Sequence, residues 1–180
     1  MSVLSSLPKG TFTLDPSHSR VGFSVRHVMV SKVRGAFNSY TGTGSVNKGV
    51  ATLNVVIDVA SIDTRNADRD GHLQSPDFFD SASYPKMTFV STSIVDKGTD
   101  KVIVVGDLTI KDVTESISIE LEYSGTATDP YGNVRFGFEG EAEINRKDFG
   151  LTWNAALETG GVVVSEIVKL EFELSAIADK

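Results

Sequence analysis

The sequence predicts an all-β chain of about eight antiparallel strands closed into a barrel, with one short helical insertion around residues 66–81. Three observations carry this expectation. Most segments alternate with period two: Val134, Phe136, Phe138, Gly140, Ala142 and Ile144 fall on one side, Arg135, Glu139, Glu141 and Glu143 on the other, the pattern of a strand with one wet face. Short clusters of Gly, Pro, Asn and Asp separate the alternating runs, as antiparallel hairpins require. Closure then removes the unpaired edges that a long open sheet would expose.

Thr11–Asp15 is a first strand, broken by Asp15-Pro16-Ser17, where proline fixes φ and small polar residues favour a turn. Arg20–His27 sends Val21, Phe23, Val25 and His27 to one face. Lys32–Val46 alternates more weakly, with Val33, Gly35 and Phe37 on a common side and glycines at 35, 42 and 44 where a barrel wall would bend. Asn47-Lys48-Gly49 closes a hairpin onto Thr52–Val59. Alternation then stops. Asn66 is placed to cap a helix over Ala67–Leu73, and Ser75-Pro76-Asp77 gives a second helix start ahead of Phe78 and Phe79. Strands resume with Lys86–Val95, the turn Asp96-Lys97-Gly98 and Val102–Ile110. Lys111-Asp112 turns into a strand carrying Ile117, Ile119, Leu121 and Tyr123 inward, and Asp129–Asn133 turns into Val134–Ile144. In the last strand, Val162–Ala176, Glu166 interrupts an apolar face and marks a bulge or an exposed start.

With 180 residues, 40% of them apolar, the chain forms one domain over 1–180. No run reaches the roughly 18 apolar residues of a spanning helix. A formal charge of −7 opposes the phosphate backbone and argues against nucleic acid as a partner. There is no cysteine, hence no disulfide, thiol nucleophile or zinc–thiolate site. Met1–Leu7 has neither a basic start nor a long apolar core, so a cytoplasmic location is expected.

His27 continues an apolar strand face and is either a core histidine bonded to backbone or a contact for the polar end of a ligand. Arg65 and Arg69 sit among aspartates in Asp63–His72, where they form ion pairs or receive an anion with paired donors. Arg146, in Asn145-Arg146-Lys147-Asp148-Phe149-Gly150, stands at the end of a strand and is a further candidate for a head group. The three histidines lie on separate elements without metal-ligand spacing, and no GxSxG, P-loop or Rossmann pattern is present. No metal, cofactor or catalytic residue is expected.

The strings Asp15-Pro16-Ser17-His18-Ser19-Arg20-Val21-Gly22-Phe23-Ser24-Val25-Arg26-His27 and Arg34-Gly35-Ala36-Phe37 closely resemble the opening of the YceI-like, polyisoprenoid-binding family. Arg69-Asp70-Gly71-His72-Leu73, Ser75–Asp80, Tyr84-Pro85, Gly106–Ile110 and Asn145–Gly150 extend the resemblance over nearly the whole chain. It implies a lipocalin-like, eight-stranded antiparallel barrel that carries an isoprenoid, quinone or other amphiphilic lipid in an internal tube. Family members are often periplasmic or secreted, and some are dimers; a homodimer is the favoured assembly. On this reading Phe23, Val25, Phe37, Leu53, Val55, Phe89, Leu108, Phe136 and Phe138 line the tube, with His27, Arg65 and Arg146 as polar contacts. Two alternatives remain: an enzyme acting on a hydrophobic substrate with His27 as acid or base, and a barrel plugged by its phenylalanines that uses its outer surface for protein contacts. A continuous apolar void of several hundred Å3 would mark the hollow case.

Overall fold

The computed structural model describes residues Met1–Lys180. Its strands are β1 (Gly10–Leu14), β2 (Arg20–His27), β3 (Ser31–Phe37), β4 (Tyr40–Asn47), β5 (Val50–Asp58), β6 (Ile62–Asp63), β7 (Lys86–Lys97), β8 (Lys101–Ile110), β9 (Val113–Thr128), β10 (Val134–Asn145) and β11 (Val164–Ala178). Two helices, α1 (Val3–Ser6) and α2 (Ala67–Gln74), and three single 3-10 turns complete the chain.

Successive neighbours β1-β4-β5-β7-β8-β9-β10-β11 form a ring that closes where β1 pairs back on β11, with Phe12 opposite Ala178 and Leu14 opposite Ala176. β2 pairs with the more N-terminal part of β11, and β3 pairs with β2. β1 and β2 therefore serve as one strand broken at residues 15–19, and β3 and β4 as another broken at Asn38-Ser39. Eleven strands, less these two breaks and the two-residue β6, leave the closed eight-stranded antiparallel barrel predicted from the alternation.

The break at Asn38-Ser39 divides the single run predicted over Lys32–Val46. Its cause is a change of partner: Phe37 ends against Ile62, while Tyr40 starts against Ile57. The linking backbone is satisfied by Asn38 N–H on Ser61 O at 3.2 Å and Asp58 N–H on Ser39 O at 2.9 Å. Because β3 has left β5, the wall has a gap, and residues 59–84 fill it.

Within that segment Asn66 caps α2 as predicted, its side chain accepting from Arg69 N–H at 2.9 Å. The second helix start does not become a helix. Phe79 N–H returns to Leu73 O and Ser81 N–H to Gln74 O, both within hydrogen-bond range, so the chain doubles back and turns Phe78 and Phe79 toward the interior. The ion pairs expected for Arg65 and Arg69 are also absent. Arg69 instead donates through Nε and Nη2 to Thr64 Oγ1 and O at 2.8 and 2.7 Å, and Asp70 accepts from the Thr64 N–H and hydroxyl. Glu166 does sit at a bulge: the β11–β2 register shifts between Val164 and Val168.

One turn breaks the local rules. Val28 and Met29, between β2 and β3, have φ of +49° and +63°, a left-handed conformation that favours glycine or asparagine and disfavours a β-branched residue most of all. Such residues cost on the order of 1–3 kcal/mol each.

The break at 15–19 is pinned by charge. Asp15 accepts from Ser17 N–H and Oγ–H at 3.0 and 2.6 Å and from Arg135 Nη1 at 2.7 Å, while Arg135 Nε donates to Asp129 at 2.8 Å. The Ser17 hydroxyl and then Arg135 hold Asp15 well below the usual carboxylate range, and Arg135 and the Asn133 N–H do the same for Asp129. Carboxylates so depressed contribute stability above their unfolded pKa and lose it as pH falls toward the folded value. Melting followed by circular dichroism should therefore show the Tm falling from about pH 4 to pH 2. Arg135→Ala should lower Tm at neutral pH and flatten that acid decline.

Candidate functional site

The inward faces of the strands are apolar, yet they do not meet in the middle. Part of the reason lies in paired glycines. Phe23 stands opposite Gly35 and Phe12 opposite Gly44; a Cβ on Gly35 would lie 2.5 Å from the Phe23 ring, and one on Gly44 would lie 2.3 Å from the Phe12 ring. Each ring leans across its neighbour's bare backbone instead of projecting to the axis.

What remains open is a main hollow of about 180 Å3. Its lining follows β11 through Val164, Val168, Leu170, Phe172 and Leu174. Ten residues at roughly 3.3 Å each, tilted about 40°, carry the lining about 25 Å along the barrel axis. The stated volume over that length leaves a cross-section of roughly 7 Å2 for atom centres, room for about a dozen water-sized groups in file. The hollow thus falls short of the several hundred Å3 expected for a hollow barrel: it is apolar and continuous along the axis but only one chain wide.

A second hollow of about 50 Å3 lies toward α1, bounded by Leu4, Leu7, Phe12, Phe136 and Ala176. Leu14, Leu53, Val104, Leu121 and Leu174 line both hollows. These five aliphatic side chains, from β1, β5, β8, β9 and β11, form a waist between the two.

At the other end the main hollow is bounded by Leu73, Phe78 and Phe79 from the inserted segment and by Arg146 and Leu151. The rings of His72, Phe78 and Trp153 cluster there with centroids 4.8–5.4 Å apart, and His72 Nε2 lies 2.9 Å from Asp77. Arg146 is the one charged residue of the lining and is only 5% exposed. Nε donates to Ser165 O at 2.8 Å, Nη1 to Leu151 O and Trp153 O at 2.6 and 2.8 Å, and Nη2 to Val164 O at 3.3 Å. A guanidinium has five N–H donors, so one on Nη2 is left over. Burial pulls its pKa below the ordinary arginine value.

Of the residues singled out from sequence, Phe23, Val25, Phe37, Leu53, Val55, Phe89 and Leu108 border the main hollow together with Arg146. Phe136 and Phe138 border the smaller one. His27 and Arg65 border neither. At His27 the strand has reached its turn, pairing with Ser31 and Val164; at Arg65 the chain has left the wall, with φ +62° and an exposed side chain. Sequence reasoning named Leu53 for the lining but missed the waist it forms with Leu14, Val104, Leu121 and Leu174, which look like any inward aliphatic residues, and it missed Trp153, which lies outside every alternating run.

The family model described as YceI-like domain matches residues 12–176. The chain belongs to the YceI-like family. UPF0312 protein VPA0850 of Vibrio parahaemolyticus is 38% identical over 160 residues, 84% of this chain and 85% of that protein. Among solved structures, Burkholderia cenocepacia BcnA superposes with a TM-score of 0.79 at 26% identity, covering 90% of this chain and 98% of that one. A polyisoprenoid binding domain from Saccharophagus degradans superposes with a TM-score of 0.73 at 22% identity over 95% and 100% of the two chains, a likeness of fold. In this YceI-like protein the resembling strings do identifiable physical work: Asp15–His18 pins the strand break, Arg69-Asp70 ties Thr64, and Asn145–Gly150 delivers Arg146 to the end of the hollow.

Gly44→Ala should cost about 1–3 kcal/mol in urea unfolding, because the new methyl would lie 2.2 Å from the Thr52 carbonyl as well as against Phe12. Gly71→Ala in α2, where a Cβ meets nothing within 4 Å, should be neutral or stabilising by up to about 1 kcal/mol.

Proposed function

We propose that this YceI-like protein binds one extended isoprenoid-like chain in the main hollow, as a carrier and not as a catalyst. The observation that carries the proposal is the bore: apolar along its length, one chain wide and open past five strand positions of β11. The Saccharophagus degradans domain of the same fold is a polyisoprenoid binding domain. Arg146 supports the assignment of polarity, since its remaining Nη2 donor suits a hydroxyl, carbonyl or phosphate oxygen at one end of the guest. Its other donors are held by backbone carbonyls and the rest of the lining is apolar, which supports carriage over catalysis.

At about 0.8 kcal/mol per buried methylene, the roughly dozen groups that the hollow has room for gain about 10 kcal/mol before the costs of binding. Affinity then depends on how well the guest fits. The waist sets the fit: a tail longer than the main hollow meets the five aliphatic side chains.

Trp153 is the sole tryptophan and stands at the end of the hollow, so titration with prenyl alcohols should change its fluorescence. Native mass spectrometry of the purified protein, followed by solvent extraction, should release an amphiphile. Protein that is empty and whose fluorescence ignores prenyl alcohols of every length would overturn the proposal. Leu53→Ala with Leu174→Ala should join the two hollows and shift the preferred alcohol toward longer chains; an unchanged preference would remove the waist from the reading.

A further inference from the structure

The strained turn after β2 carries side chains that turn chemistry does not ask for. Met29 is 65% and Val30 81% exposed, although asparagine and glycine at the positive-φ positions 28 and 29 would relieve the backbone. The turn is joined to the loop before β11: Val28 N–H donates to Val163 O at 2.8 Å, and the Met29 sulfur lies over Gly161, 2.3 Å from where a Cβ would stand. Val162 beside it is also exposed, and Val164, two residues on, lines the main hollow. Exposed apolar side chains at the tip of the turn and at Val162 therefore stand within a few residues of the channel lining.

The flank of this tip is basic in a chain of charge −7. Arg26 and Lys32 stand directly opposite one another on β2 and β3, with Arg34 two residues further along the same outer face. Like charges in register repel, and none of the three forms an ion pair, whereas Lys147 and Lys169 nearby hold Glu166 and Glu141. Glu158 and Asp148 are the other exposed carboxylates on the neighbouring loops. Exposed apolar side chains beside unpaired cations are the chemistry of a surface that inserts shallowly between anionic lipid head groups.

We propose that the Val28–Val30 turn and the Arg26, Lys32, Arg34 flank dock this protein on an anionic lipid surface, setting the channel end against the bilayer. The inference builds on the channel reading for its purpose, but the docking stands on its own observations. The backbone strain explains itself on this view, because the turn keeps apolar side chains for the bilayer at the expense of its own conformation.

The test uses the full chain and vesicles without any isoprenoid, so that docking is read apart from channel filling. Flotation with phosphatidylcholine vesicles containing phosphatidylglycerol should carry the protein up at low salt and release it at high salt, and pure phosphatidylcholine should carry far less. Arg26→Gln, Lys32→Gln and Arg34→Gln together should weaken partitioning by roughly a hundredfold, at about fivefold for each basic residue lost. Val28→Asn with Met29→Gly should abolish flotation while raising Tm by about 2–4 °C or more, so the loss cannot come from misfolding. Docking is overturned if the wild type fails to float at low salt, or if either variant floats as well as the wild type. Should flotation fail while the Trp153 titration still reports prenyl alcohol, only the docking falls; should flotation succeed with a channel that accepts nothing, only the carrier reading falls.

Discussion

The structure depends on a wall that must close while its lining stays apart. Closure comes from only three paired positions between β1 and β11, at the place where the strand made of β1 and β2 is broken. A sheet of continuous strands with large residues at every inward position would fill its own axis, as the barrel with eight strands is just wide enough for side chains to do. Here glycines at 35 and 44 accept the rings of Phe23 and Phe12 against the wall. The Phe23 ring so held borders the bore, and the Phe12 ring borders the smaller hollow. Substitution of such a glycine is therefore a change of packing on both strands, not of one backbone angle.

The two broken strands have a second effect. Because β3 stays with β2 while β4 moves to β1, the lower wall between β3 and β5 is left to residues 59–84. That segment has no ladder of its own beyond β6, and it is held by other means: the Arg69–Thr64–Asp70 knot, the Asn66 cap and two inward phenylalanines. Arg146 does the same for the loop before β11, gathering the carbonyls of Leu151, Trp153, Val164 and Ser165 around one cation. A buried charge without a carboxylate partner is costly. Four backbone carbonyls offset part of that cost, and in return a loop without secondary structure is fixed at the end of the channel.

How much of this was legible depended on whether a feature leaves a periodic trace. Alternation located the long strands, to the residue for Arg20–His27, and the turn at Lys48-Gly49, where both residues have positive φ. It placed seven lining residues on the inward side because a period of two leaves only two choices. The break at Asn38-Ser39 left no such trace, since it reflects a change of partner and not a change of pattern. Ser75-Pro76-Asp77 carries the residues of a helix start, and burial of Phe78 and Phe79 overrode them. His27 follows the parity of the inward face yet lies beyond its end, a matter of strand length and not of alternation. Arg146 could be named from its string, but that its donors face backbone carbonyls follows only from the fold of residues 150–165.

The two ends of the bore differ enough to orient a guest. Toward α1 the lining offers Leu4, Leu7, Phe12 and Phe136, and its one polar residue, Thr52, is exposed with its hydroxyl paired to Ser45. A hydroxyl or phosphate placed there would lose its water without replacement, at about 1–3 kcal/mol for a neutral group and far more for a charged one. At the opposite end Arg146 retains a donor, and the lining reaches Val164, two residues from the exposed Val162. A chain that enters there tail first travels over apolar surface throughout, reaches the waist with its tail and brings its polar end to the guanidinium last. The reverse orientation would drag the polar end past some 25 Å of hydrocarbon to a cap that has nothing to offer it. On the carrier proposal, a bore with one donor at one end and none at the other would set direction as well as fit.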